Sequence, residues 1–347
     1  MSGRVHVIAL AARTPVGFSA EATAAAVRAG ISRLALHPFM VDDTGEKLHA
    51  AFDPSLERPC FGCDRMIALA SAALDELIAK LTKNVAWPSP IPVLLAAPEA
   101  RPGFGDQDAQ RLVTRLRASL PNAAAKLDVQ LVGRGHAGGL HALQLAMQRM
   151  SPGNDLFVVG GVDSYLEADT IDWLASNRQL SSSEVRSGFV PGEGAGFIAL
   201  GTEGALRQLR LTSLAVVRGA GTAKESKLIK TDAINLGEGL AAAIQSASHG
   251  LRLPDEAVDT VYCDINGERY RSEEWGFALL RGGQREVKSS GYVAPADCWG
   301  DVGAASGPLL CLLAVRSWAR RYAAGPRALV CAGSESGLRG AVVLESP

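Results

Sequence analysis

The sequence predicts an α/β protein built from two similar halves, and three observations support this prediction. Short apolar, β-rich runs alternate along the chain with longer alanine-rich runs of helical character. The apolar runs are hydrophobic at nearly every position, which is typical of strands buried on both faces in a largely parallel sheet. A segment near the middle of the chain is also repeated, faintly, near its end.

The elements follow from these patterns in chain order. The runs predicted to form strands are 5–11, 91–97, 127–132, 155–160, 196–200, 211–219, 260–265, 328–332 and 341–345. The runs predicted to form helices are 20–29, 64–81, 106–120, 140–150, 237–249 and 308–324. Ser19 is suited to cap the first helix, with Glu21 in its first turn and Gly30 after its end.

The repeat carries the same units in the same order. HAGGLHALQLAMQRMSPGNDLFVVGGVDS, from His136, resembles GAASGPLLCLLAVRSWARRYAAGPRALVCAGSES, from Gly303. Each contains a small-residue turn, a helix, a Gly/Pro loop, a strand and a small-residue turn with an acid, and one more strand follows. A duplicated unit predicts two pseudo-symmetric halves packed together, here residues 1–205 and 206–347.

Composition excludes several classes of function. The chain has 347 residues, 47% of them hydrophobic and 20% charged, with a formal net charge of −1. This balance gives no electrostatic support for binding nucleic acid or a membrane surface. No run approaches the roughly 20 apolar residues of a membrane span, and no signal-peptide pattern is present, so we expect a cytoplasmic protein.

The cysteines do not form a disulfide framework, because the six of them are spread widely along the chain. Cys60 and Cys63 form an isolated CFGC motif. A metal site would need further ligands nearby, and a redox site would need a thioredoxin-like setting. We interpret them as thiols that precede a helix. The sequence predicts neither a metal nor a cofactor.

The stretch GRGHAGGLHAL, residues 133–143, joins an apolar strand to a helix through a glycine-rich turn. Such a turn presents one side chain at a helix N-terminus, where the helix dipole favours an anion such as a thiolate. Here that side chain is the histidine His136. The dipole disfavours its charged form, so we expect this position to lower its pKa.

Several segments resemble β-ketoacyl-acyl-carrier-protein synthases of the thiolase superfamily. These are VHVIALAARTPVGFSAEATAAAVRAG, DRMIALASAALDEL, GLHALQLAMQRMSPGNDLFVVGGVDS and, most specifically, GFVPGEGAG. The resemblance covers essentially the whole chain and implies a five-layered α-β-α-β-α fold and a dimer. It implies a structural turn at Gly192, Glu193, Gly194 and Gly196, and a pocket that includes Phe189 as a gate to an acyl chain.

The family's catalytic residues are a cysteine and two histidines, and the resemblance places other residues at all three positions. His136 stands at the cysteine position, to within one residue. Asn266 stands at the first histidine, and Gly300 or Asp301 at the second. No histidine follows His249, although both family histidines belong beyond that point. The resemblance therefore implies a degenerate triad without condensing activity.

Two interpretations of this site remain open. In one, His136 is a neutral imidazole that fills the space of the former nucleophile. In the other, it is a general base, oriented by Asp301, that activates a thiol such as Cys298 or Cys263. Cys298 lies close in sequence to the position of the lost second histidine, which suggests a place in the pocket.

The segment NGERYRSEEWGFALLRGG, from Asn266, is richly charged and aromatic. Its side chains Arg269, Tyr270, Arg271 and Trp275 have spacings suited to a partner-binding surface. A charged run of this kind is also typical of a solvated helix face.

We therefore carry two hypotheses about function. The first is a catalytically degenerate ketosynthase-like protein that binds a protein partner or an acyl carrier protein, as an adaptor, chaperone or subunit of a homodimer or heterodimer. Its size and the DINGERYRSEEWG segment resemble accessory proteins of type VI secretion effectors. The second is an acyltransferase or thioesterase of altered mechanism that acts on acyl thioesters. It predicts an open acyl tunnel beside Phe189, whereas the first predicts a plugged pocket and an exposed apolar patch elsewhere.

Overall fold

The computed structural model describes residues 4–41, 45–56, 60–85, 90–119, 127–229, 231, 233–288 and 291–347. The elements up to residue 209 are β1 (Val5–Arg13), α1 (Ala20–Arg28), β2 (Leu34–Val41), β3 (Lys47–Ala51), α2 (Gly62–Leu81), β4 (Ile91–Ala97), α3 (Asp106–Ser119), β5 (Leu127–Arg134), α4 (Gly138–Arg149), β6 (Leu156–Ser164), α5 (Ala168–Ser176), β7 (Glu193–Gly201) and α6 (Glu203–Leu209). The remaining elements are β8 (Ala215–Lys224), α7 (Glu238–Ser248), β9 (Thr260–Cys263), α8 (Arg269–Ala278), a π-turn (Leu279–Gly283), α9 (Gln284–Glu286), α10 (Ala296–Trp299), a 3₁₀ turn (Gly303–Ala305), α11 (Ser306–Ala319), β10 (Arg327–Gly333) and β11 (Leu338–Glu345).

The main sheet has the strand order β5-β4-β6-β7-β1-β8-β11-β10-β9, and its two halves repeat one pattern. In the first half, β4 and β6 are parallel, while β6, β7 and β1 are antiparallel in turn. In the second half, β9 and β10 are parallel, while β10, β11 and β8 are antiparallel in turn. The repeated segments predicted from the sequence become α4–β6–β7 and α11–β10–β11. The two halves are joined by the short antiparallel contact between β1 and β8.

Helices α4 and α11 form the central layer, in contact with strands of both halves. Helix α11 is apolar on every side, because its sequence contains the run Leu309–Val315, and nearly all of its residues are buried. Helices α2 and α3 cover the outer face of the first half, and α7 and α8 cover that of the second. The result is the five-layered α-β-α-β-α arrangement that the family resemblance implies. Helix α6 spans the predicted boundary at residues 205 and 206.

The prediction of largely parallel strands is wrong. Only β4–β5, β4–β6 and β9–β10 are parallel among the strand pairs of the described main sheet. Strands covered by helices on both faces have the same composition whichever way they run, so hydrophobicity does not report direction. The connections decide it: β10 and β11 are joined by residues 334–337 alone, which is far too short for a parallel crossover.

Several elements were not predicted. The β2–β3 hairpin forms a separate two-stranded sheet, and α5, α6 and α8 are also additions to the predicted set. Helix α8 has a charged sequence without a clear apolar stripe, which explains why periodicity did not reveal it. The predicted end of α3 at Leu120 lies outside the described residues.

Candidate functional site

A cavity of about 470 Å³ opens where several strand ends meet. Strands β4, β5 and β6 are parallel, so their carboxyl ends lie at one edge of the sheet, where ligands commonly bind in α/β proteins. The end of β10 approaches from the other half. The cavity is lined by Glu99, Ala100, Arg101, Asp106, Arg134, Gly135, His136, Asp163, Tyr165, Trp173, Leu174, Glu335 and Ser336.

His136 lies at the inner part of this cavity, in the turn between β5 and α4, and is only 4% exposed. Its Nε2 contacts both carboxylate oxygens of Asp301, at 2.8 and 3.0 Å. The turn itself is held by Ser334, whose Oγ accepts a hydrogen bond from the backbone N–H of Ala137 and donates to the carbonyl of Arg134. The structure thus brings together His136 and Asp301, the two residues that the general-base interpretation paired.

Asn266 is the third residue that the resemblance places at a catalytic position of the family. Its Nδ2 donates to Asp301 Oδ2 at 2.5 Å and to Glu268 Oε2 at 2.9 Å. Asp301 Oδ1 also accepts the backbone N–H of Gly303 at 2.7 Å. Three segments that are distant in sequence therefore meet at one buried carboxylate.

Arg271, which the sequence suggested as part of a partner surface, belongs to the same buried network. Its Nη1 donates to Asp264 Oδ2 at 2.7 Å and to the carbonyl of Gly333 at 2.9 Å, and its Nε donates to Glu268 Oε2 at 3.1 Å. Its Nη2 lies 3.4 Å from His136 Nε2. The guanidinium therefore joins the loop after β9 to the end of β10 behind the histidine.

This network favours the protonated form of the His136 imidazole. Burial disfavours the charged ring and Arg271 repels it, but the Asp301 carboxylate outweighs both and raises the pKa of His136 above its ordinary value. The pKa of Asp301 is lowered far below its usual range despite its burial, because His136 and Arg271 lie beside it. The expectation that the helix N-terminus lowers the pKa of His136 is wrong, since the carboxylate is closer and carries a full charge.

The GFVPGEGAG segment positions Asp301. The backbone N–H of Gly192 donates to the carbonyl of Asp301, and that of Asp301 donates to the carbonyl of Val190, both at 2.8 Å. A Cβ on Gly192 would lie 2.3 Å from the carbonyl oxygen of Trp299, so only glycine allows this close approach. Gly300 has a φ of +72°, which lets the chain turn directly before Asp301.

Glu193 is a structural residue in this segment. It is fully buried and forms an ion pair with Arg65, whose Nη2 lies 2.7 Å from Glu193 Oε1. It also accepts the backbone N–H of Asp53 at 2.6 Å and the hydroxyl of Ser164 at 2.9 Å. Glu193, Gly194 and Gly196 lie in strand β7 and not in a turn, which corrects the sequence-based expectation.

Phe189 and Cys298 do not line the cavity. Phe189 is buried in a small apolar cluster behind Tyr165, with 5.3 Å between the ring centroids, so the structure contradicts its expected position beside an acyl tunnel. Cys298 is buried in α10, where burial and the nearby Asp297 raise the pKa of its thiol. Cys263 and Gly300 line a separate, much smaller cavity with Asn266, and burial raises the pKa of Cys263 to about 12.

The predicted partner surface is largely internal. Trp275 is buried in the core of the second half, and Arg271 is buried in the network described above. The Tyr270 hydroxyl is also buried. Arg269 is exposed, and it pairs with Glu273 one helical turn away. The prediction of an exposed partner surface formed by all four side chains is therefore wrong, because three of them face the protein interior.

Arg101, Asp163 and Tyr165 were missed by the sequence reasoning. Arg101 Nη2 donates to Asp163 Oδ1 at 2.6 Å and to the carbonyl of Ser164 at 2.8 Å, and its guanidinium lies 4.3 Å from the centroid of the Tyr165 ring. The repeat contained a signal for part of this group. The acids noted in its two small-residue turns are Asp163 and Glu335, and both line the cavity.

The CFGC cysteines are both free thiols. Cys60 is half-buried and Cys63 is buried at the start of α2, where burial raises its pKa to about 11. Across the described ranges of the chain, no helix combines the length and the hydrophobicity needed to span a membrane.

The fold is that of ketosynthases. The chain superposes with a TM-score of 0.81 at 16% identity on a chain of AntDE:AntF, a type II PKS acyl-carrier protein in complex with its ketosynthase bound to the hexaketide, and each chain is covered completely. It superposes on the ishigamide ketosynthase/chain length factor with a TM-score of 0.79 at 15% identity, again over the whole of both chains. A β-ketoacyl synthase from Burkholderia phymatum gives 0.74 at 14% identity, covering 99% of this chain and 100% of the other. No family model and no curated protein sequence matches the chain.

Proposed function

We propose that this chain is a ketosynthase-fold protein that does not condense acyl thioesters and that acts by binding a protein partner in the cytoplasm. The observation that carries the proposal is the buried ion pair between His136 and Asp301. It occupies the place where the sequence resemblance locates the catalytic centre, and it fills that place with groups that hold each other in their charged forms.

Covalent acyl transfer needs a nucleophile with access to the cavity, and none of the six cysteines lines it. The hydroxyl groups in the described lining are those of Tyr165 and Ser336. Burial raises the pKa of Tyr165 well above its ordinary value, so it stays protonated. Ser336 is exposed, and it would need a general base to act as a nucleophile.

His136 is poorly suited to be that base. A base must accept a proton near neutral pH, whereas the Asp301 carboxylate raises the pKa of this imidazole and favours its protonated form. Deprotonation would leave Asp301 buried with only the more distant Arg271 as counter-charge. The general-base interpretation therefore requires the buried charge pairing of His136 with Asp301 to be given up, with only the hydrogen bond from Nε2–H to Asp301 retained.

A thioesterase of altered mechanism is the second candidate, and one observation favours it. The cavity is not plugged, contrary to the expectation for a pure binding role, and the exposed Asp106 at its edge shows that it reaches solvent. Charged groups surround most of it, with Tyr165, Trp173 and Leu174 as the apolar part. This lining is a poor match for a long acyl chain.

The solved relatives suggest the kind of partner. One similar structure contains an acyl-carrier protein bound to its ketosynthase, and another contains a ketosynthase with a chain length factor. The proposed role is therefore that of a partner subunit, in a homodimer or a heterodimer, or of a binder of an acyl carrier protein. One version of this binding role is the adaptor for a type VI secretion effector that the sequence resemblance implies. Co-expression of the protein with such an effector tests whether the two bind.

The decisive experiment is intact-protein mass spectrometry after incubation with short and long acyl-coenzyme A and acyl-carrier-protein thioesters. Wild type, His136→Ala and Cys298→Ala are compared, with a cysteine-containing ketosynthase as the positive control. We expect no acyl adduct and no thioester loss beyond the protein-free rate. A stoichiometric adduct, or hydrolysis that His136→Ala abolishes, would refute the proposal. Light scattering on the protein with and without apo- and holo-acyl carrier protein then measures the binding role.

A further inference from the structure

Two hydrogen-bond donors in the cavity lining have no partner among the described residues. They are Nδ1 of His136 and Nε of Arg101. Both side chains are more than nine-tenths buried; the Arg101 guanidinium is a cation, and Asp301 favours the protonated form of His136, in which Nδ1 donates. A buried donor without an acceptor costs free energy, so two such donors in one cavity indicate a missing acceptor.

The acceptors in the lining, by contrast, are engaged by the protein. Asp163 accepts from Arg101 through Oδ1 and from the backbone N–H of Ala304 through Oδ2. Glu99 accepts the backbone N–H groups of Glu335 and Ser336, each at 3.0 Å. Asp106 accepts from Arg134 at the edge of the cavity, and Glu335 Oε1 accepts from Gln179 Nε2 at 2.9 Å. The two donors at the inner end of the cavity therefore lack negatively charged acceptors, which a ligand would have to supply.

The rest of a ligand, away from its acidic head group, would contact a different part of the lining. Tyr165, Trp173 and Leu174 supply the apolar part of the lining, and Leu174 and Tyr165 are buried. The volume of about 470 Å³ lies in the ordinary range for small-molecule sites. It accommodates a ring or a short alkyl group together with one acidic head.

We propose that this cavity binds a free organic carboxylate with a compact aromatic or aliphatic body, anchored by Nδ1 of His136 and Nε of Arg101. One carboxylate carries enough acceptor positions for both donors, which a neutral amide or alcohol offers less well. The inference rests on the proposed non-covalent function, since it assigns the ligand of that same site.

The electrostatics agree with this assignment. The Asp301 carboxylate favours the protonated form of His136, in which Nδ1 carries a hydrogen and donates. Arg101 is balanced by Asp163, and its Nη2 is used by the protein, which leaves Nε for the ligand. Hydrogen bonds between charged partners are about twice as strong as neutral ones, so the head group is expected to decide affinity.

The test is isothermal titration of the full chain with phenylacetate, and with phenylacetamide as a neutral probe of nearly the same shape. We expect saturable binding of one phenylacetate per chain and at least about tenfold weaker binding of the amide. Absence of phenylacetate binding at about 10 mM, which corresponds to less than about 3 kcal/mol of binding free energy, would overturn the proposal. Equal affinity for both probes would overturn it as well.

Two variants locate the site. Arg101→Lys keeps a positive charge beside Asp163 but removes the Nε donor, and it is expected to weaken phenylacetate binding at least about tenfold. Arg134→Lys is the matched control, because Arg134 also lines the cavity but is already bonded to Asp106 and the carbonyl of Pro98. If Arg101→Lys fails to fold, Ser336→Trp tests the same claim. This exposed residue lies at the cavity edge, where a bulky side chain obstructs entry.

Phenylacetate binding that survives Ser336→Trp and Arg101→Lys unchanged would contradict the assignment.

The two proposals fail separately. Acyl adducts in the mass-spectrometric experiment would refute the non-covalent function, whatever the titration shows. A protein that forms no adduct and binds no phenylacetate would keep the proposed function and lose the ligand assignment.

Discussion

The imidazole Nε2 of His136 donates to the carboxylate of Asp301, at 2.8 and 3.0 Å from its two oxygens, although 165 positions separate the residues in the chain. The contact links the turn before α4 of the first half to the loop before α11 of the second. Both residues are buried, so each depends on the other for its counter-charge. The electrostatic stabilisation of the site therefore depends mainly on this pair.

The substitution Asp301→Asn is expected to lower the free energy of unfolding by about 3–5 kcal/mol, because it removes the buried carboxylate that pairs with His136. Denaturant unfolding measures the change. Asp64→Asn is the control, since it breaks an exposed pair with Arg111 and should cost no more than about 1 kcal/mol. Equal costs for the two substitutions would show that the buried pair is not an important source of stability.

The pair also predicts a pH dependence. The raised pKa of His136 means that the folded state holds its proton more tightly than the unfolded chain does. This contribution to stability is complete below the unfolded pKa of about 6.5 and is lost as pH rises through the raised folded value. The lowered pKa of Asp301 gives a contribution that is present above about pH 4 and lost as pH falls further.

The substitution His136→Gln should therefore reduce the free energy of unfolding more at about pH 5.5 than at about pH 9. Urea unfolding of wild type and variant at both pH values gives the difference directly. His249→Gln, at the exposed end of α7, is expected to change the unfolding free energy by less than about 0.5 kcal/mol at either pH. A His136→Gln cost that grows with pH would contradict the assigned direction of the pKa shift.

Two glycines should respond to alanine with opposite signs. Gly192→Ala places a Cβ 2.3 Å from the carbonyl oxygen of Trp299 and 2.8 Å from that of Asp301, so we expect a loss of about 1–3 kcal/mol. Gly276→Ala meets nothing within 4 Å on α8 and should add up to about 1 kcal/mol through helix propensity. Thermal and denaturant unfolding of the two variants compare the effects. A neutral Gly192→Ala would show that the Asp301 loop can move without cost.

Cysteine labelling should report the burial of the thiols. Cys60 is half-buried, whereas the other five cysteines are buried, and burial raises the pKa of Cys263 and Cys311 to about 12. We expect a maleimide to modify Cys60 first in the native protein and the rest only after unfolding, as followed by peptide mass spectrometry. Cys60→Ser should remove the fast reaction. Fast labelling of Cys298 would mean that its thiol is accessible after all.

Much of the fold was predictable because the hydrophobic runs are strong and continuous. The run 91–97 corresponds to β4 without error, and α11 was recognisable because a helix in the centre of five layers is apolar on all sides. The β2–β3 hairpin was missed since its strands lie outside the main sheet and lack a continuous apolar run. Strand direction was missed because burial on both faces removes the compositional difference between parallel and antiparallel pairs.

The site was predictable only where a local motif marked it. The turn before α4 identified His136 in advance, and the family resemblance at the second histidine position offered Gly300 or Asp301. Arg101 was invisible, because it follows a strand end with no motif of its own. Arg271 was assigned to the surface, since a charged helix normally faces solvent, and only its contacts with Asp264, Glu268 and Gly333 explain its burial.

The sequence by itself determined most of the strand and helix runs and the duplicated unit, because these properties depend on local periodicity and residue identity, while its resemblance to ketosynthases implied the five layers and the replaced catalytic residues. Only the tertiary structure decided that Asp301 raises the pKa of His136, that Arg271 is buried and that Phe189 does not line the cavity. These outcomes depend on which charges and surfaces meet across long separations in the chain. Electrostatic energy is set by distance and burial, and neither quantity is encoded in any short stretch of residues.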